Sequence, residues 1–169
     1  MIITEDAQIL LTKVNVSPGD IPQKLKNRRQ WVLWRWEEDK DGKPTKVLYD
    51  PDTKRKASHS DLETWAYFED ALNTYQEGDK WAGVGFVFSS GDPYTGIDLD
   101  KVRDPESGDI EEWAQRILSA FDGAYMDVSP SGRGVHIIVE GRIPRAIKRP
   151  QVEAYSQWRF FTVTGVSPW

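Results

Sequence analysis

GVGFVFSSGDPYTGIDLD, residues 83–100, is the part of the chain that says most about its architecture. Two short apolar runs, 83–88 and 94–100, flank a Ser-Ser-Gly-Asp-Pro segment of the kind that interrupts regular structure. Runs of this length that are rich in aliphatic and aromatic residues are typical of buried strands. The pattern therefore predicts two neighbouring strands, with Asp98 and Asp100 at the end of the second.

More strands are predicted on both sides of this pair. β-branched and aromatic residues predict strands over 31–36, 45–49, 125–128, 134–140, 152–155 and 159–164. Asp41-Gly42 predicts a hairpin turn between the first two of these.

Helices are predicted at fewer places. Capping-box patterns at Ser60–Glu63 and Asp109–Glu112 predict amphipathic helices over 61–76 and 110–121. One helical turn is predicted over 21–26, and residues 1–20 are interpreted as an N-terminal arm or a short helix. Strands alternating with few helices predict an α+β fold.

Composition excludes several classes of protein. The chain has 169 residues, which suits one domain or two small lobes over 21–169. It has no cysteine, which excludes a disulfide scaffold, a thiolate zinc site and a cysteine nucleophile, and which fits a reducing cytoplasm. The acidic start is not a signal peptide, and no run approaches the roughly 18 apolar residues of a membrane helix. We therefore expect a cytoplasmic protein without a membrane segment.

The net charge of −5 is unevenly distributed along the chain. Residues 1–60 hold twelve Lys/Arg and nine Asp/Glu, residues 61–128 hold four and sixteen, and residues 129–169 hold six and two. The acidic middle suits cations or solvent, and the basic flanks suit polyphosphate or a nucleic-acid backbone. Candidates for template contacts are Lys24, Lys26, Arg28, Arg29, Lys54, Arg55 and Lys56.

The first candidate site is Asp98 with Asp100. Because side chains alternate along a strand, Ile97 and Leu99 face a core and both acids face the other way. A divalent cation relieves the repulsion of two such carboxylates, and Mg²⁺ prefers hard oxygen ligands. The alternative is that one Asp caps a turn and the other is solvated.

The second candidate site is a glycine-containing turn, Ser129-Pro130-Ser131-Gly132-Arg133-Gly134, followed by an apolar strand with His136. Glycine lets backbone N–H groups approach a phosphate, and the hydroxyls and the guanidinium add donors. Alternation places His136 opposite the core-facing positions, so we expect it to face a cleft and hold a nucleotide phosphate. The alternative is a histidine packed on the sheet.

The third candidate site lies on the last two predicted strands. Glu153 is an isolated acid among basic neighbours, which makes it a candidate third metal ligand, unless it pairs with Arg149 or Arg159. Arg159 is a candidate contact to a triphosphate, and Phe160 is a candidate for stacking on a sugar or base, unless it is a core residue.

In this order the three groups resemble the motifs of the archaeo-eukaryotic primase superfamily, in its phage and plasmid primase-polymerase branch. Motif I matches Gly96–Lys101, motif II matches the Ser129–His136 segment, and motif III matches Glu153. Segments near 30–34, 42–51 and 159–165 also resemble this branch, so the resemblance covers about residues 21–165.

The resemblance implies an RRM-like antiparallel sheet half that carries the motifs, packed with a smaller N-terminal α/β half. It implies template-directed nucleotide transfer with two Mg²⁺ or Mn²⁺ ions, and a DNA template, a primer and nucleoside triphosphates as partners. Such proteins usually continue into a helical domain and often a helicase, so we expect a domain cut at its C-terminus or a minimal protein.

Three other functions compete with this one. A non-catalytic RRM-like nucleic-acid-binding domain explains the basic flanks but leaves the paired acids without a role. A Rep-type nicking nuclease needs a His-x-His pair, whereas His59 and His136 are 77 positions apart. A nucleotide cyclase-like enzyme would share the metal site and differ in its product.

Overall fold

The computed structural model describes residues 13–169. Its helices are α1 (Gln23–Lys26), α2 (Phe68–Gln76) and α3 (Glu112–Ala120), with 3-10 turns at Pro18–Asp20 and Leu62–Thr64. Its strands are β1 (Trp31–Glu38), β2 (Pro44–Tyr49), β3 (Gly83–Phe88), β4 (Tyr94–Leu99), β5 (Tyr125–Val128), β6 (Val135–Glu140), β7 (Ile147–Arg149), β8 (Val152–Tyr155) and β9 (Arg159–Val163). Antiparallel strands with few helices confirm the α+β class.

The strands form two antiparallel sheets. The first sheet has the order β2-β1-β3-β9, and the second has the order β5-β6-β4-β8-β7. The hairpin at Asp41-Gly42 is confirmed, because β1 and β2 pair on either side of it and Gly42 has a φ of +75°.

The strands formed by 83–88 and 94–99 are not neighbours, so this part of the prediction is wrong. β3 pairs with β1 and β9, whereas β4 pairs with β6 and β8. The loop between them is closed by the Asp92 carboxylate, which accepts hydrogen bonds from the N–H groups of Ser89 and Tyr94, both at 2.7 Å. This closure lets the chain leave one sheet and enter the other.

β9 is the junction between the two sheets. It pairs with β3 in the first sheet, and beyond its other edge it meets side chains of the second sheet. The Thr162 carbonyl lies 3.0 Å from Nδ1 of His136, and the Thr164 N–H donates to Asp127 at 2.6 Å. The last strand of the chain therefore belongs to the same sheet as the first three strands.

Three clusters of buried side chains hold these layers together. One joins the first sheet, α2 and part of the second sheet; one lies between the second sheet and α3; one covers the remaining face of the first sheet. In the second cluster Leu99, Val135 and Ile137 are fully buried. Each such side chain contributes about 1.5–3 kcal/mol. As predicted, alternation leaves His136 on the opposite face of β6.

Part of the predicted N-terminal arm packs on the domain. Val14 is buried, its N–H donates to the Ala82 carbonyl at 2.7 Å, and its carbonyl accepts from the Tyr75 hydroxyl at 2.5 Å. Residues 1–12 of that arm lie outside the described part of the chain.

The helix predicted over 61–76 is interrupted. Leu62–Thr64 forms only a 3-10 turn, and α2 begins at Phe68. Between them Ala66 pairs with Trp31 in an isolated β-bridge, with hydrogen bonds of 3.0 and 2.9 Å. The N–H and carbonyl groups of Ala66 are therefore engaged with Trp31 and cannot form the hydrogen bonds of a continuous helix.

The helix predicted over 110–121 starts two residues later, at Glu112. Ile110 is held in a β-bridge with Arg103, and the Asp109 carboxylate accepts a hydrogen bond from a nearby serine hydroxyl at 2.9 Å. The predicted capping box therefore does not form. None of the helices within residues 13–169 is long and apolar enough to cross a membrane; the cytoplasmic location stays a prediction.

The edge strand β7 was not predicted. Its three residues are all exposed and show no alternation of apolar and polar side chains. It forms because it pairs with β8, with Lys148 opposite Glu153.

Gly96 allows β4 to pack closely on the aromatic core. A β-carbon at this position would lie 2.5 Å from the Phe161 ring and closer still to the Phe88 ring, and these rings pack edge to face with centroids 5.0 Å apart. We expect Gly96→Ala to lower the free energy of unfolding by about 2–3 kcal/mol. Urea unfolding followed by tryptophan fluorescence measures the change. Gly78→Ala, whose β-carbon meets nothing within 4 Å, is the control, and equal midpoints for the two variants would contradict this account.

Candidate active site

A row of ionisable side chains crosses all five strands of the second sheet. Asp98 on β4 is opposite His136 on β6 and Glu153 on β8, and the outer members are Asp127 on β5 and Lys148 on β7. Residues directly opposite each other in antiparallel strands project from the same face. We call these five residues the ionisable row. It brings together predicted site residues that are far apart in the sequence.

The row borders a pocket of about 420 Å³. The side chains that line it come from both sheets and from the N-terminal segment: Val14, Trp36, Lys46, Asp98, Asp100, Ser129, Pro130, Ser131 and His136. We call it the carboxylate pocket. Half of the ten predicted site residues line it, and the other five lie elsewhere.

Asp98 and Asp100 reach this pocket from the end of β4. Ile97 and Leu99 are buried on the opposite face, as alternation requires. Asp98 is half-buried, and Asp100, the first residue after the strand, is exposed. One acid is thus partly shielded from water while the other meets solvent.

The Asp98 carboxylate is electrostatically unfavourable in its charged form. Burial raises its pKa, and the charges of Asp100 and Glu153 act in the same direction, against His136 and Lys46. The His136 Nε2 atom is 3.7 Å from Asp98 Oδ1, too far for a hydrogen bond. A divalent cation between the carboxylates would relieve this repulsion.

The acids fit a metal ion that is held jointly with a substrate. Within residues 13–169, no group of three His, Cys, Asp or Glu side chains is already arranged around one metal position. Glu153 does not line the carboxylate pocket, and its carboxylate accepts a hydrogen bond from the Tyr155 hydroxyl at 2.5 Å. Two carboxylates are nevertheless what proteins commonly provide to Mg²⁺, whose remaining ligands are water and substrate phosphates. Glu153 as a third ligand stays a prediction.

His136 is buried but presents one nitrogen to the pocket. Its ring stacks on Phe161 with centroids 4.8 Å apart. Its Nδ1 is 3.0 Å from the Thr162 carbonyl and 3.5 Å from Asp127, so the hydrogen bond goes to the carbonyl and the carboxylate acts through its charge. Burial alone would lower the pKa of His136, but Asp127 and Asp98 outweigh burial and raise it. The ring is therefore both packed on the core and available at Nε2.

Asp127 was missed by the sequence analysis. It is fully buried, and its Oδ2 atom accepts hydrogen bonds from the Tyr125 hydroxyl at 2.9 Å and the Thr164 N–H at 2.6 Å. Its Oδ1 atom has no hydrogen-bond partner within the described residues and faces His136. The only signal in the sequence was an acid between the apolar residues Met126 and Val128 of a short predicted strand.

The serine-glycine turn closes one side of the pocket. The Ser129 hydroxyl accepts from the Gly134 N–H at 3.0 Å and lies 3.1 Å from the Ser131 hydroxyl. Gly132 has a φ of +73°, and a β-carbon on Gly134 would lie 2.9 Å from the Leu99 carbonyl. The glycines therefore allow this turn to press against the end of β4, beside the acids.

Lys46 was also missed, and it is the one lysine or arginine among the described residues that line the pocket. It extends from β2, and its ammonium lies 5.4 Å from the Trp34 ring centroid and 5.3 Å from that of Trp36. Burial lowers the pKa of Lys46, while the charges of Asp98 and Asp100 oppose that change. Nothing in its local sequence distinguishes it from the neighbouring lysines.

Arg133, Arg159 and Phe160 do not line the carboxylate pocket. Arg133 faces a shallow surface with Asp104 and Asp109, and Arg159 lies in a separate groove beside β7. Phe160 is half-buried against the cluster on the first sheet. Their contacts with a nucleotide therefore stay predictions.

Several of the basic residues considered for template contacts have partners in the structure. Lys24 pairs with Glu140 at 2.6 Å and Lys54 with Glu77 at 2.7 Å. Such exposed pairs contribute little to stability, but they reduce the positive charge available to a nucleic acid.

No family model matches the chain. The protein described as "DNA Primase-polymerase" of Nitratiruptor phage NrS-1 is 35% identical over 149 residues, which cover 83% of this chain and 20% of the relative. The chain thus spans about a fifth of the length of that curated relative. The chain is therefore homologous to a phage-type primase-polymerase, the family that its motifs resemble.

Proposed function

We propose that this chain is a template-directed nucleotidyltransferase, a DNA primase or polymerase domain that uses two divalent cations, Mg²⁺ or Mn²⁺. The observation that supports this most is the meeting of Asp98, Asp100 and Lys46 at one pocket. An acidic pair attracts cations, and a lysine beside it attracts phosphate oxygens. A metal-bound nucleoside triphosphate requires both.

The acids would hold the cations, with Asp98 and Asp100 as the primary ligands and Glu153 joining from the next strand. When bound, the cations would lower the pKa of the primer 3′-hydroxyl and stabilise the charge on the departing pyrophosphate. The chain itself therefore needs no side-chain general base.

The remaining residues of the pocket would bind and orient the triphosphate. The Lys46 ammonium, the Ser131 hydroxyl and Nε2 of His136 provide donors in the same pocket as the acids. Because the pKa of His136 is raised, this ring holds a proton at higher pH than an ordinary histidine and serves as a charged donor. Its contacts with Phe161 and Thr162 fix the direction in which Nε2 points.

The proposed partners are a DNA template, a primer and nucleoside triphosphates, in the replication of a phage, plasmid or mobile element. A helicase domain or protein acting with this domain is part of the same proposal. The name of the phage relative supports the two activities, and the pocket supports the chemistry.

The test is nucleotide incorporation on a defined template. The protein is supplied with a primed DNA strand, labelled nucleoside triphosphates and either metal, and an unprimed strand tests priming separately. We expect elongation that follows the template and stops when EDTA is added. Oligonucleotide binding without incorporation in either metal would favour the non-catalytic nucleic-acid-binding alternative.

Lys46→Ala is expected to raise the KM for the nucleoside triphosphate about tenfold, because a charge-assisted contact to phosphate is lost. The turnover number should change less. Lys43→Ala, an exposed lysine in the same hairpin that does not line the pocket, is the matched control. Steady-state kinetics with varied triphosphate decides, and an unchanged KM for Lys46→Ala would remove this residue from the binding site.

A further inference from the structure

A second concave surface, larger than the carboxylate pocket, lies beside β7. It has a volume of about 780 Å³ and is lined by His59, Arg142, Ile143, Pro144, Arg145, Ala146, Lys148, Tyr155, Ser156, Gln157, Trp158 and Arg159. We call it the basic groove. Four of these residues are Lys or Arg, and none of the described residues that line it is Asp or Glu.

Three of the four basic side chains that line the groove are available to a ligand. Arg142 is engaged, because it donates to the carbonyls of Ser89 at 2.9 Å and Asp92 at 2.6 Å. Arg145, Lys148 and Arg159 are exposed, and they form no ion pair within the described residues. Such a concentration of unpaired positive charge in a groove attracts a polyanion.

Trp158 holds an aromatic ring at the edge of the groove. Its side chain is 40% exposed, and its backbone has a φ of +58°, a conformation that is costly for a bulky residue. The backbone N–H donates to the Phe88 carbonyl at 3.0 Å, which fixes the turn. The indole belongs to none of the three buried clusters, and an exposed ring among cations is a suitable platform for a nucleobase.

The basic groove is continuous with the ionisable row. The Arg159 guanidinium lies 4.9 Å from the Tyr155 ring centroid, and the Tyr155 hydroxyl donates to Glu153 at 2.5 Å. Lys148 is opposite Glu153, which is opposite Asp98. Two strand spacings, about 10 Å, therefore separate the rim of the groove from the proposed metal ligands.

We propose that the basic groove binds a single-stranded nucleic acid, with phosphates on Arg145, Lys148 and Arg159 and a base stacked on Trp158. This inference rests on the proposed function, because the bound strand would be its template. The three cations come from separate segments of the groove lining, namely the loop before β7, β7 itself and the start of β9, and such an arrangement suits successive phosphates of one strand. An indole at the rim reaches a base only when that base is unstacked, which favours a single strand over a duplex.

The test is the binding of a short fluorescent oligothymidine in EDTA, measured by anisotropy at several salt concentrations. We expect Trp158→Ala to bind about tenfold more weakly. For the double variant Arg145→Ala/Lys148→Ala, we expect weaker binding. The plot of the logarithm of the binding constant against the logarithm of the salt concentration should have a slope smaller in magnitude by about 1.4, because each phosphate contact to a single strand contributes about 0.7. Lys40→Ala/Lys43→Ala, two exposed lysines of the β1–β2 hairpin, should bind like the wild type. A duplex of the same length should bind more weakly and be unaffected by Trp158→Ala.

Wild-type affinity in the groove variants, or a wild-type protein that does not bind the oligonucleotide, would overturn the proposal. So would a duplex that loses as much affinity from Trp158→Ala as the single strand does. Failure of the proposed function is distinguishable, because oligonucleotide binding in EDTA needs no metal ion. A protein that binds through the groove but never incorporates nucleotides would overturn only the catalytic proposal. An active enzyme whose groove variants keep the wild-type KM for template would overturn only the groove.

Discussion

Asp98→Asn is expected to lower the rate of nucleotide incorporation by at least about a thousandfold, because it removes a charge that the proposed cations require. The substitution preserves the size of the side chain and replaces one carboxylate oxygen with an NH2 group. Primer extension with saturating triphosphate and Mn²⁺ measures the loss.

The fold should survive this change. Asp98 is a half-buried carboxylate whose pKa is raised by burial and by neighbouring acids, so its charged form is disfavoured in the folded protein. Above both the folded and the unfolded pKa, this charge opposes folding, and a neutral amide removes that opposition. Asp98→Asn should therefore unfold at no lower a urea concentration than the wild type.

Asp122→Asn is the control for the Asp98 experiment. Asp122 is exposed after α3, away from the carboxylate pocket, and its replacement should leave incorporation unchanged. A folded Asp98→Asn protein with more than about a tenth of wild-type activity would be incompatible with a metal-ligand role.

Asp127→Ala is expected to destabilise the protein by about 3–5 kcal/mol, because it removes a buried carboxylate that accepts two hydrogen bonds and that faces the buried ring of His136. The Tyr125 hydroxyl and the Thr164 N–H would lose their acceptor, and His136 would lose the carboxylate beside its buried ring. Urea unfolding at neutral pH measures this change.

Asp127→Asn should cost less than Asp127→Ala, since its amide oxygen still accepts from Tyr125 and Thr164. Asp122→Ala, an exposed aspartate, should stay within about 0.5 kcal/mol of the wild type. A loss below about 1 kcal/mol for Asp127→Ala would show that the buried carboxylate is not a structural support of His136 and β9.

Much of the local structure followed from the sequence because it depends on local rules. The strand that carries Asp98 was predicted from its run of apolar residues and the direction of its side chains from alternation, and the hairpin at Asp41-Gly42 was predicted from its turn residues. The helix predicted over 61–76 was wrong because Ala66 pairs with Trp31, a contact that no local pattern reveals. Similarly, β3 and β4 are adjacent in the chain but belong to different sheets.

The candidate site was predictable only in part for the same reason. Asp98, Asp100 and His136 stand out because polar residues alternate with apolar ones on buried strands. Lys46 and Asp127 gain their significance from contacts across the two sheets, where Lys46 faces the acids and Asp127 supports His136. Those contacts form because β9 pairs with the first sheet and also contacts the second. Local sequence patterns do not reveal such long-range pairing.

The most direct measurement is the anomalous X-ray signal of crystals soaked in Mn²⁺ with a non-hydrolysable nucleoside triphosphate. We expect a peak within about 2–2.5 Å of carboxylate oxygens of both Asp98 and Asp100, with the triphosphate beside Lys46 and Ser131. The peak should disappear in Asp98→Asn. A triphosphate bound elsewhere, or Mn²⁺ absent from this pair of carboxylates in the wild type, would contradict the proposed active site.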